Sequence, residues 1–148
     1  MAYTNTQQIW EILEKVSLAK DKKEKVKLLK NYEDWALKDT IRCCYDDTLV
    51  FELPPGSPPY TPNRPESTPS SIRRRFKEYS KFIKGGPRVQ QKVGAKDPQW
   101  KREQDFIGLL ESVHPEEALL LIRMKDKVAF NGLTKATVNT AFPNLIKT

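Results

Sequence analysis

The chain is expected to be mostly α-helical, with small helical bundle halves joined by an extended proline-rich segment. Three observations carry this expectation. Apolar residues recur at helical spacing near both ends of the chain. Seven of the eleven prolines crowd into residues 54–69, where neither a helix nor a central strand can form. Only Thr48 to Leu53 has the β-branched and aromatic character of a strand, and no partner run is visible. The 148 residues therefore divide into a helical segment 1–47, an extended arm and linker 48–69, and a helical domain 70–148. At 38% apolar and 30% charged the core is modest, with three Trp, six Phe and five Tyr to anchor it.

Taken in order, Ile9, Ile12, Leu13 and Val16 make one apolar stripe, with Trp10 beside it and Thr6 as its cap. Asp21 caps a second helix that buries Val26, Leu28 and Leu29 and ends at Asn31 or Tyr32. A third runs from about Glu33 to Tyr45, with Leu37, Ile41 and Cys44 on one side and Trp35 at its head. The segment 48–53 reads as an extended arm, since a lone strand leaves its backbone groups unsatisfied. The prolines after it read as a spacer or as a docking strap with Tyr60 as its anchor. Ser70 or Ser71 caps the next helix, whose apolar seam is Ile72, Phe76, Tyr79 and Ile83, and Gly85-Gly86-Pro87 ends it. Residues 88–96 lack periodicity and read as a loop. Asp97-Pro98 opens a helix burying Trp100, Phe106, Leu109, Leu110 and Val113. His114-Pro115-Glu116-Glu117 opens another, with its acids where the helix dipole favours them. Asn131-Gly132 turns the chain, Thr134 caps a last short helix and Pro143 stops it.

Charge is the strongest functional signal. Residues 68–102 hold eleven Lys and Arg against two acids, a net of +9. The flanks each sum to −1, which leaves the whole chain at +7. Concentration of this kind points to a polyanionic partner: nucleic acid, an acidic protein surface or, less readily, an anionic membrane. The candidate contacts are Arg73, Arg74, Arg75, Lys77, Lys81 and Lys84 on the helix, then Arg88, Lys92 and Lys96 on the loop. Six neutralised phosphates would give a log–log salt slope of about −5 on duplex DNA. The opposing reading pairs these cations with acids of the N-terminal segment such as Glu33, Asp34, Asp46 and Asp47. The helices around Asn131-Gly132 could form a helix-turn-helix, with Lys135 and Asn139 as the only good base readers, or a hairpin that closes the core.

Other classes find little support. The longest apolar run, Ala118 to Ile122, is far too short to span a bilayer, and residues 1–6 are polar with no secretory signal. The chain is expected to be soluble and intracellular, with no membrane partner. Cys43 and Cys44 are adjacent and bridge nothing distant; one should face the core and the other be partly exposed. With one His and no metal-ligand spacing, neither a metal site nor a cofactor is expected. Gly85-Gly86 lacks the Lys-Ser/Thr of a phosphate-binding loop, and no catalytic constellation is present.

Several blocks carry a resemblance: Glu103 to Ala118 (EQDFIGLLESVHPEEA), Met124 to Lys127, Phe130 to Thr134 and Ala141 to Leu145. The Leu53-Pro54-Pro55-Gly56 and Pro59-Tyr60-Thr61-Pro62 runs and the early KKEKVKLLKNY segment join them. In these the chain resembles a family of uncharacterised tailed-bacteriophage proteins of about this length, from T4-like, cyanobacterial and marine phages. The resemblance brings no activity and no site residues. It implies a location in the host bacterial cytoplasm, with the virion as a second possibility. The expected function is a non-catalytic phage accessory protein that contacts nucleic acid, or another polyanion, through helix 71–84 and loop 85–96. The alternative is a protein–protein interaction module, a virion component or a modulator of a host protein, that grips a phage or host partner through arm 48–69 with Leu49, Phe51 and Tyr60.

Overall fold

A computed structural model describes residues 7–84 and 98–146. It is mostly helical, with α1 (Ile9–Leu18), α2 (Lys22–Asn31), α3 (Trp35–Tyr45), α4 (Ile72–Arg75), α5 (Gln99–Ser112), α6 (Pro115–Asp126) and α7 (Lys135–Ala141). A 3-10 segment, Phe76–Lys81, continues α4.

Helix α3 is the central element. It packs on α6, on α4 and on the 3-10 segment, and buries Ala36, Leu37, Thr40, Ile41, Cys43, Cys44 and Tyr45. Helix α1 lies against α2 and α6, α2 against α7, and α5 against α6. One apolar cluster therefore runs from Ile9 through Leu37 and Phe82 to Leu121, Phe142 and Ile146. The boundaries at 47 and 70 do not divide the core: the helical halves interleave, and the proline-rich segment crosses the surface of one shared unit.

The N-terminal caps follow from side-chain chemistry. Asp21, Asp34, Ser71 and Thr134 each accept the N–H three residues on, and His114 accepts the Glu116 N–H through Nδ1 at 3.0 Å. Thr6 lies outside the described residues; α1 is instead entered at Gln8, whose N–H donates to the Glu11 carboxylate at 3.0 Å.

Three expectations need correction. The run 72–83 is not one α-helix. After Arg75 its apolar residues Phe76, Tyr79 and Phe82 recur every third position, the period of a 3-10 helix and not of an α-helix. The strand-like run 48–53 has a partner after all: Phe51 bridges antiparallel to Ile83. Glu52 N–H donates to Phe82 C=O, and Lys84 N–H to Val50 C=O, both at 2.7 Å. Trp100, expected in the core, is 66% exposed, because it lies in the first turn of α5, ahead of the stripe from Phe106 to Val113.

Candidate polyanion interface

The cations of 72–84 fall into two classes. Arg73 and Arg75 are structural. Arg73 donates to the Asp34 carboxylate and, through Nε at 3.1 Å, to the Gln7 carbonyl. It thereby ties α4 to the start of α3. Arg75 grips the Glu78 carboxylate and donates to Ser112 Oγ at 2.9 Å, tying α4 to the end of α5. The same bond holds the Glu78 carboxyl below its usual range. Neither guanidinium is free to meet a phosphate in this arrangement. The reason is local: Asp34 and Glu78 lie within reach, and an ion pair already made is lost on binding elsewhere.

Lys81 is half-buried and its Nζ sits 3.7 Å from Glu78, a weak association. Arg74, Lys77 and Lys84 are exposed, and none of the three has an acidic partner among the described residues. Arg74, Lys77 and Ser80 are exposed at the same three-residue spacing that buries Tyr79 and Phe82. The short segment thus has one wet, cationic face and one aromatic face. Arg88, Lys92 and Lys96 lie outside the described residues.

The arm residues are placed differently from expectation. Phe51 is buried in the core, while Leu49 and Tyr60 are half-buried against it. The strap is bound to its own chain. Lys125 Nζ donates to Pro54 C=O at 2.7 Å, and Gly56 N–H to Asp126 at 3.0 Å. Thr61 N–H donates to the Glu111 carboxylate at 2.8 Å, and Asn63 Nδ2 to the Glu111 carbonyl at 2.9 Å. Phe51 is therefore an internal contact, while Leu49 and Tyr60 keep part of their surface open. Apolar side chains beside an incomplete core are buried by it first.

The turn between α6 and α7 is tied into the core, and α7 packs on α2. Tyr45 Oη donates to Leu133 C=O at 2.6 Å and accepts the Phe130 N–H at 2.8 Å. Lys25 Nζ donates to Gly132 C=O at 2.6 Å. Lys135, one of the two base-reading candidates, pairs with Asp47 at 2.8 Å; Asn139 is exposed.

Sequence reasoning missed Glu117. Its side chain is fully buried. Its carboxylate accepts N–H groups from Ile72 at 3.0 Å and Trp10 at 3.4 Å, with Ile9 as a further donor. One acid thus serves the open N-termini of both α1 and α4. Burial raises its carboxyl above the ordinary 4.5, and these bonds oppose the rise. The sequence signal was only two acids in a first turn, which does not tell a buried one from an exposed one.

Both cysteines are buried, contrary to the expected split, because α3 is covered on several sides. Burial pushes each thiol up to about 12, so neither is a nucleophile near neutral pH. No helix among the described residues is long and apolar enough to cross a membrane.

Among curated proteins, none matches this chain. Residues 12–130, most of the length and including α4 and its 3-10 extension, match a family described as "Family of unknown function (DUF6433)". The chain belongs to that family of unknown function.

Proposed function

We propose that the protein is a non-catalytic accessory protein of a tailed bacteriophage that binds nucleic acid through the exposed cations of 72–84. One observation carries this reading. A net charge of +9 is confined to residues 68–102, and Arg74, Lys77 and Lys84 remain exposed within it after Arg73 and Arg75 are spent on the fold. A solubility coat would be spread over the surface; a confined patch supplies phosphate contacts. The partner-gripping arm is the weaker reading, since strap 54–63 would first have to break its bonds to α5 and α6.

The test is fluorescence anisotropy of labelled DNA and RNA oligonucleotides over a salt series. Micromolar or tighter binding at low salt that weakens steeply with added salt is expected. Absence of binding at low salt would end this reading and leave an acidic protein surface as the partner to seek.

A further inference from the structure

The cationic segment has an exposed tryptophan fixed at each end. At its start, Arg73 is bonded to the carboxylate of Asp34, the residue before Trp35, and Trp35 is 63% exposed. At its end, the 51–83 bridge carries the segment alongside Glu52. There Gln99 Nε2 donates to Glu52 C=O at 3.2 Å. Gln99 is the residue before Trp100, which is 66% exposed. Neither ring is explained by the core. The third tryptophan, Trp10, is half-buried and stacks on His114 with centroids 4.4 Å apart.

From this placement we infer that Trp35 and Trp100 are base-stacking platforms, and that the ligand of this surface is single-stranded nucleic acid. The inference rests on the polyanion reading above and narrows its partner. In a duplex the faces of the bases are stacked inside, out of reach of a surface indole. In a single strand every base offers a face, and alternation of cations with exposed aromatic rings is what such a ligand requires. The segment from Arg73 to Phe82 spans about 18 Å at helical and 3-10 rise, a length suited to a few nucleotides.

The surroundings of each ring fit. Lys38 Nζ lies over the Trp35 ring, 4.6 Å from its centroid, and pairs with Glu33 at 2.6 Å, so a base would stack on the ring's other face or displace this lysine. Trp100 forms one wall of a hollow of about 420 Å³ between the strap and α5, which Leu53, Pro54, Phe106 and Ile107 also line. That volume admits one nucleobase, and Glu103 and Gln104 at the same hollow offer polar contacts to its edge. Arg74, Lys77 and Lys84 supply the phosphate contacts between the two rings.

The test uses the full chain, an oligothymidylate of about 12 nucleotides and a duplex of equal length. The single strand should bind more tightly and quench tryptophan fluorescence. Trp35→Ala and Trp100→Ala should each weaken single-strand binding about tenfold and leave duplex binding and the salt slope unchanged. Trp35→Phe and Trp100→Phe should recover part of the loss, and the double Phe variant, which keeps only Trp10, should lose the quenching. Both rings are exposed, so the variants should melt as the parent does. Equal affinity for single strand and duplex, with no effect of either Trp variant, would overturn the stacking assignment and leave polyanion binding standing. Absence of binding to both ligands would overturn the two together.

Discussion

At the residue scale the fold depends on polar side chains placed where helices end. Glu117 serves two helix N-termini at once. Glu117→Ala would leave those N–H groups buried without an acceptor, and should cost about 3 kcal/mol in denaturant unfolding. Glu117→Gln keeps an acceptor oxygen and should cost much less. The pair also has a pH signature. A carboxyl whose folded value is raised favours folding fully below its unfolded value of 4.5, and that contribution is lost as pH rises through the folded value. The stability of the parent minus that of Glu117→Gln should therefore fall as pH rises above 4.5. A difference that grew with pH would contradict the assignment. Burial of Cys43 and Cys44 predicts a second readout: both thiols should resist an aromatic disulfide reagent near neutral pH and react once the chain is unfolded.

At the element scale the connections are held by contacts of their own. Gly132 has φ +70°, and a Cβ there would lie 2.9 Å from Ser17 Cα, a backbone atom that cannot swing aside. Gly132→Ala should lower stability by about 2 kcal/mol, measured by thermal melting. The strap makes a separate prediction. Glu111→Ala with Asp126→Ala removes the acceptors of Thr61 and Gly56, and should expose 54–63 to proteolysis while the helices stay protected. The helices themselves were legible because their stripes and caps are local: Asp21, Ser71 and Thr134 each sit before an apolar repeat. The 3-10 segment was less so. Phe76, Tyr79 and Phe82 show a period of three, but Ile72, Phe76, Tyr79 and Ile83 fit an α-helix equally well. The partner of Phe51 was hidden for a related reason, since Ile83 looked like the last turn of that helix.

At the scale of the whole molecule, charge confined to one stretch of sequence becomes two different things in space. Net charge in 68–102 was plain from composition, but composition cannot tell a cation that holds the fold from one that faces water. Arg73 and Arg75 are spent on Asp34 and Glu78, acids that lie 39 residues away and 3 residues away. The sequence offers Asp34 among several N-terminal acids as a partner without singling it out, and Glu78 stands at the i, i+3 spacing from Arg75. The exposed trio of Arg74, Lys77 and Lys84 is what the fold leaves without an acidic partner among the described residues.

One comparison tests this division most directly: the salt dependence of oligonucleotide binding, with melting, for two variants. Replacing Arg74, Lys77 and Lys84 together by Gln should reduce the slope of log affinity against log salt by about 2 on a single strand. Its melting should match the parent. Replacing Arg73 and Arg75 by Gln should instead lower the melting temperature and leave the slope of the folded protein unchanged. The reverse pattern, a slope that falls with Arg73 and Arg75 and is indifferent to the exposed trio, would contradict the account.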